Sequence, residues 1–416
     1  MCIRDRSWND RLDWVAGLFY MREWGDEYSV SYTNGPTWST TAGQGKNVSE
    51  GVYAQGTYAW TDRLNLTVGV RQSWDERSAE DVSVRQNGLG VACQTFNRNA
   101  AGVEVLDVFP ACSLRGKEKW DAFSYTASLD YQLREGAMAY LVFSRGFKAG
   151  GFSLRARRPS IFVYDPEFIN NAEAGLKADW SIGDRPLRTN LSIFRMDFTD
   201  QQLTATVAGT NPVQTFVDNV GESRIIGAEL EVLFKPSPSV ELSGFASYTD
   251  ADYLEWDNNI GVVGGVDYGV VDLSGRPVGL YSKVNAGLSA SWTLPLGSSR
   301  GELTLRADGA YHSKWLTDNS VAGLLGVPAG PSAIPSVVGY TMVPQDAYSV
   351  VNLRAEWTNV LGGPLDLGLF VTNASNQEVL QGGVPVNGVV TSSIGPPRMY
   401  GVELTYRFGE SIKSRN

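Results

Sequence analysis

Val284-Asn285-Ala286-Gly287-Leu288-Ser289-Ala290-Ser291-Trp292-Thr293-Leu294 is the stretch that decides the fold. Every even position is apolar and every odd one is small or polar. A helix would scatter these residues over all its faces, whereas a strand puts each set on its own face. The pattern returns in Tyr400, Val402, Leu404, Tyr406 and Phe408 against Gly401, Glu403, Thr405 and Arg407. It returns in Ala172, Ala174, Leu176, Ala178 and Trp180 against Glu173, Lys177 and Asp179. Ile226, Ala228, Leu230, Val232 and Phe234 stand against Glu229 and Glu231, and Val351, Leu353, Ala355 and Trp357 against Asn352, Arg354 and Glu356. The charges sit at mid-strand, so one face is wet along its length. A soluble sandwich and a transmembrane barrel both satisfy that pattern.

Composition narrows the choice. The 416 residues carry 35 basic and 45 acidic side chains, a net charge of −10, and 46 aromatic residues with 45 glycines, a profile of strands and turns. The acidic balance argues against a nucleic-acid partner. One histidine, His312, and three cysteines exclude His-rich or Cys-rich metal sites, and no cofactor is expected. Mean hydropathy is −0.18, and no run approaches the ~20 apolar residues of a spanning helix. A membrane protein of this sequence must be a barrel.

Spacing separates sandwich from barrel. Period-two segments predict fourteen strands near 12–24, 48–60, 64–75, 118–133, 137–148, 167–181, 187–199, 222–234, 239–250, 283–293, 301–313, 348–358, 365–373 and 398–408. Short connections such as Thr61-Asp62-Arg63, Arg134-Glu135-Gly136 and Gly183-Asp184-Arg185-Pro186 alternate strictly with long ones near 25–47, 76–117, 149–166, 200–221, 251–282, 314–347 and 374–397. Long structureless loops are uncommon in compact soluble domains. Tight turns alternating with long loops fit an antiparallel transmembrane β-barrel with short periplasmic turns and long extracellular loops. Trp14, Tyr20, Trp24, Trp60, Trp120, Tyr131, Trp180, Trp292, Tyr311, Trp315, Trp357 and Tyr400 near strand ends would form aromatic girdles. One strand departs: Leu191 and Ile193 lie on one phase and Phe194, Met196 and Phe198 on the other, which predicts a bulge.

Several segments resemble a known family. They are Phe143-Ser144-Arg145-Gly146-Phe147-Lys148-Ala149-Gly150-Gly151-Phe152, then Pro166-Glu167 with Glu173-Ala174-Gly175-Leu176-Lys177, and Asn219-Val220-Gly221 leading to Gly227-Ala228-Glu229-Leu230-Glu231. Ser247-Tyr248-Thr249-Asp250-Ala251, Val351-Asn352-Leu353-Arg354, Val371-Thr372-Asn373-Ala374-Ser375-Asn376 and Pro397-Arg398-Met399-Tyr400-Gly401-Val402 follow. In this order they resemble the carboxy-terminal barrel of a TonB-dependent outer-membrane receptor of the ferric-siderophore type. The resemblance implies an outer-membrane location in a Gram-negative bacterium, a 22-strand barrel of which fourteen strands are present, and uptake of iron–siderophore complexes. It also implies a plug domain that contacts TonB, and no such domain is visible here. Residues 1–7 read as a doubtful leader without the apolar core of a signal peptide. Residues 8–408 read as the partial barrel, and 409–416 as a polar tail after Phe408, the family's terminal aromatic.

Alternatives remain at this point. A passive fourteen-strand channel for small solutes fits the even strand count, and similar barrels carry vitamin B12, haem or oligosaccharides. An enzyme is not expected: His312 has no second histidine and reads as an interface residue. Cys93 and Cys112 share the 76–117 loop, and in an oxidising extracellular setting a bridge closing about 18 residues would remove about 3 kcal/mol of unfolded-state entropy. The glycines at 146, 150 and 151 follow a strand but open no helix, so they let the chain turn into a loop rather than cradle phosphate. In that loop Arg155, Arg157 and Arg158 could attract an anionic ferric chelate or meet lipopolysaccharide phosphates. Arg71, Glu173, Lys177, Glu229, Glu231, Arg354, Glu356, Glu403 and Arg407 are expected on the lumen side, facing water or a plug.

Overall fold

The structure, a computed structural model, describes residues 2–32, 37–87, 89–207, 214–259, 262–263, 266–267, 270–272, 274–275, 278–279, 281–316, 344–386 and 389–408. Its main sheet runs in chain order through β1 (Cys2–Ser7), β2 (Leu12–Tyr32), β3 (Trp38–Thr61), β4 (Leu64–Asn87) and β5 (Ser113–Arg134). It continues through β6 (Ala137–Lys148), β7 (Glu167–Ile182), β8 (Arg185–Val207), β9 (Gln214–Ser237) and β10 (Val240–Glu255). β11 (Val284–Pro295), β12 (Glu302–His312), β13 (Tyr348–Thr358), β14 (Leu365–Thr372) and β15 (Met399–Tyr406) complete it. Each strand pairs antiparallel with its sequence neighbour, and the short Gly90–Cys93 strand adds to β4. Among the described residues the outer edges, β1 and β15, are not paired with each other.

All fourteen expected strands are present, β2 to β15, with two corrections, and one strand precedes them: Cys2–Ser7 pairs with β2 from Cys2↔Gly17 to Ser7↔Leu12. The intervening turn holds Trp8, Asn9 and Asp10 in the left-handed region. Several strands run far longer than the alternation indicated, so the expected 25–47 and 76–117 loops are largely ladder. The expected bulge in β8 is absent. Leu187↔Phe234 through Thr199↔Glu222 keep one constant register, as do the pairs with β7. The 409–416 tail and most of 314–347 lie outside the described residues.

Turn chemistry explains the reversals. Gly301 closes the β11–β12 connection at φ 80°, and a Cβ there would stand 2.0 Å from the Thr358 carbonyl oxygen. Only glycine fits that turn. The fold has almost no conventional interior. Its largest fully buried side chains are Tyr253, Thr95, Asp81, Cys112, Ser73, Ser83 and Ser223, mostly polar. Backbone ladders carry the sheet, and the apolar side chains point away from it. Among the described residues no helix is long and apolar enough to cross a membrane.

Candidate functional site: the polar wall and its strap

Register sorts the side chains into two faces. One row reads Leu66, Leu129, Leu141, Ala174, Ile193, Ala228, Tyr248, Val284 from β4 to β11. The adjacent row on the other face reads Asn65, Asp130, Tyr140, Gly175, Ser192, Glu229, Ser247, Asn285, His312. The first face leaves Leu288 77% exposed and Leu404 67% exposed, a continuous greasy surface that water would not tolerate and lipid would cover. The second face carries all nine charges expected on the lumen side. There Tyr140 donates to Glu173 Oε1 at 2.6 Å, Arg354 bridges Glu356 and Glu403, and Arg407 is paired with Asp366.

The edge of the lipid is legible on the outward face of β4 and β5. Val68, Val70 and Trp74 give way to Glu76 and Glu80, which pair with Lys117, Lys119 and Arg115 at 2.7–3.0 Å. The two ammonium groups hydrogen-bonded to Glu76, Lys117 before Lys119, hold its carboxyl down at about 2. Leu64 to Trp74 is about ten residues, which at about 3.4 Å per residue and a tilt of about 40° spans about 26 Å, the height of a barrel's apolar band. The outward ion pairs beyond Trp74 mark that end of β4 and β5 as outside the apolar band.

Above that line the chain from Ala149 to Pro166 folds back as a strap against the polar face. Gly150 has to be glycine, since a Cβ would meet the Tyr164 oxygen at 2.5 Å and Trp120 Cε2 at 2.6 Å. Trp120 also donates to Asp165 Oδ1 at 3.3 Å and packs on Phe152. Beneath the strap Leu114, Ala156 and Phe162 form a small buried apolar cluster. Gln202 of β8 donates to the carbonyls of Ala149 and Asp165, and Asn219 of β9 closes a reciprocal pair with Asp165.

Two of the three loop arginines turn inward onto carboxylates. Arg155 meets Glu27 at 3.1 Å, Arg158 meets Glu104 at 3.5 Å and lies 4.0 Å from the Phe96 ring centroid, and Arg157, half-buried, lies near Asp81 without bonding it. Glu27, Gly43, Asp81 and Leu114 form one row across β2 to β5, and Leu154 lies over Gly43. The arginines fasten the strap; Arg155 alone keeps most of its side chain in solvent. Burial pushes Asp81 up to about 7, with Arg157 opposing and Glu27 adding to the rise. Neither Asp81 oxygen has a hydrogen-bond partner, nor has Arg157 Nη1.

Cys93 and Cys112 are joined, with Cα atoms 4.9 Å apart, and both are buried. The bridge pins Gly90–Cys93 to the start of β5, where Ser83 N–H donates to the Cys112 carbonyl. His312 Nδ1 lies 2.6 Å from Asn285 Oδ1 and its ring stacks on Tyr348. Among the described residues no group of His, Cys, Asp and Glu could hold a metal ion.

Sequence reasoning missed two features of this site. Asp81, Glu27 and Glu104 gave no signal, because their partners lie far along the chain. Phe194, Met196 and Phe198 share the polar face with Ile169 and Ile225, making a half-buried apolar patch high on the wall. Their outward neighbours Arg195 and Asp197, paired with each other, with Arg224 also on Asp197, were the available signal that this end of β8 has left the lipid.

Solved structures share this architecture. The ferric yersiniabactin uptake receptor FyuA from Yersinia pestis matches with a TM-score of 0.68 at 16% identity, covering 95% of this chain and 51% of that one. The ferric-catecholate import receptor Fiu from E. coli K12 gives 0.63 at 16%, covering 97% and 53%, and the siderophore receptor PiuA from Acinetobacter baumannii 0.59 at 16%, covering 94% and 55%. At that identity the likeness shows the fold, and the chain spans about half the length of these receptors. The family model for the TonB dependent receptor-like beta-barrel matches residues 4–374, which take in the strap and every strand of the main sheet except β1's first two residues and β15, and this chain therefore belongs to that family.

Proposed function

We propose that this chain is the ligand-capturing barrel portion of a receptor for active uptake of ferric siderophores, energised by TonB through a plug domain. Members of the family reside in the outer membrane of Gram-negative cells. They are receptors and transporters, and we assign this chain no covalent chemistry. The carrying observation is a polar wall ringed by lipid-facing rows, over nearly the whole length of which solved siderophore receptors superpose. Ligand would enter past the strap and meet the Phe194, Met196 and Phe198 patch, with Arg155 as the one loop arginine side chain largely open to solvent. Outward rows would meet lipid, and the ion-paired belt above them the phosphates of lipopolysaccharide.

The test is uptake of radioactive iron by iron-starved cells lacking their own receptors. Accumulation is expected only when the plug-bearing part accompanies this chain, and it should vanish on deletion of TonB. TonB-dependent accumulation with this chain alone would overturn the division of labour. Growth rescue by a non-iron cargo instead would overturn the substrate class.

A further inference from the structure

The strap crosses one row of the wall at three points: Arg155 over Glu27, Leu154 over Gly43, and Arg157 beside Asp81. The first contact is an exposed ion pair, and such pairs hold little. The second is apolar. The third is unusual, because a carboxyl group is sealed under the strap at 0% exposure with neither oxygen hydrogen-bonded. A neutral acid tolerates such a place far better than a carboxylate does. We propose that the strap, residues 149–166, is a proton-controlled gate over the wall, docked while Asp81 carries a proton and released when Asp81 ionises.

Among the described residues few groups face Asp81. From β2 comes Glu27, which the exposed Arg155 pairs, and from the strap comes Arg157. β3 presents Gly43 and Thr41, and β5 presents Leu114, none of which titrates. Among these neighbours Arg157 favours the ionised form, and burial outweighs it. The site lies beyond Trp74, outside the lipid, so protons reach it from the medium once the strap moves.

The sign follows from linkage. Docked, the carboxyl titrates at about 7; released into water it returns toward 3.8. Docking therefore takes up a proton between those values, and the preference for the docked state is lost as pH rises through 7. From about pH 6 to about pH 8.5 the docking equilibrium should weaken about tenfold, the ratio that two such titrations give. The inference rests on the strap's geometry and holds whatever the cargo, so the experiment reads the strap and not uptake.

Hydrogen exchange of the full chain in detergent micelles provides that reading. The amides to follow are Ser153, donating to Phe162, Ala156, donating to Ser153, and Phe96, donating to Arg157, with the β11–β12 ladder as internal reference for intrinsic rates. Relative protection should fall about tenfold across the interval in the unaltered chain. Asp81→Asn should abolish the dependence. Arg157→Gln should move the midpoint upward, because the one group favouring ionisation is gone. A flat profile in the unaltered chain, or an unchanged one in Asp81→Asn, overturns the gate. Should Asp81→Asn fail to fold, an Arg157→Gln midpoint that stays in place overturns it equally.

Discussion

Glu27 and Asp81 stand two strands apart in one row, on either side of Gly43; Glu27 takes Arg155 of the strap as an ion pair, whereas Asp81 has Arg157 near it without a hydrogen bond. Their environments differ, and so should their energetics. Glu27 and Arg155 keep 43% and 68% of their side chains in solvent, so Arg155→Ala should change strap stability by less than about 1 kcal/mol. Asp81 is fully buried with neither oxygen hydrogen-bonded and Arg157 beside it is half-buried, and replacing such a desolvated pair with apolar groups of like volume is neutral to stabilising. The double change Asp81→Leu with Arg157→Met should therefore dock the strap more firmly at pH 8, by about 1–4 kcal/mol. Native-state exchange of the Ser153 and Ala156 amides measures both. A loosened strap in the double variant would show that the pair holds the strap by charge attraction.

The two faces of β11 make a paired test of membrane exposure. Leu288 lies in the middle of the outward row, while Ser289 hydrogen-bonds Asp308 on the wall at 2.6 Å. Leu288→Arg should cost about 2–4 kcal/mol for folding into vesicles, since an arginine at mid-bilayer costs that much. Ser289→Arg should cost much less, because its guanidinium enters water. Denaturant titrations of folding into vesicles would compare them, and equal costs would remove the assignment of faces.

How much of this was legible beforehand depends on where lipid ends. Between Leu64 and Trp74 one face is apolar and the other polar, and the alternation gives the strand its bounds. From Glu76 to Asp81 the ladder continues unbroken while both faces turn polar, in Glu76-Arg77-Ser78-Ala79-Glu80-Asp81. Nothing in that stretch has period two, so it reads as loop, and the brief alternation of Val82 and Val84 beyond it is too short to extend the strand. β8 shows the same cause with a different result: past Ile193 its outward side chains are Arg195 and Asp197, and its aromatics turn to the wall. An inversion of polarity looked like a bulge. The strap was the least legible part. Arg157 comes near Asp81 only because register sets β4 beside β5 and the chain returns from β6, a relation that local pattern does not encode.

The Cys93–Cys112 bridge should act locally. It closes a 19-residue separation between the end of β4 and the start of β5, inside the region that supports Arg158 through Phe96 and Glu104. Replacing both cysteines by serine should remove about 3 kcal/mol from the stability of this loop, the entropy of an unclosed chain of that length. Exchange protection should fall between Gly90 and Leu106 and stay unchanged in β11 to β13. A barrel-wide loss would mean that the bridge supports the sheet itself.

The apolar patch high on the wall gives the sharpest test of ligand capture. Phe194 lies over Gly227, where a Cβ would stand 2.3 Å from its ring, and Met196 and Phe198 continue the same face upward. Water gains nothing from such a surface, whereas the aromatic and aliphatic parts of a ferric chelate would. Phe194→Ala and Phe198→Ala should each weaken binding of a ferric catecholate by about 1–2 kcal/mol, roughly 5- to 30-fold in Kd. Leu191→Ala, on the lipid side of the same strand, is the control and should leave affinity unchanged. Quenching of tryptophan fluorescence on titration with the iron complex gives the affinities. Because the aromatic variants remove no ladder hydrogen bond, the folded barrel should migrate unchanged on semi-native gels. Equal losses in all three variants would trace the effect to the strand's packing, whereas a loss confined to the wall side assigns the contact to this patch.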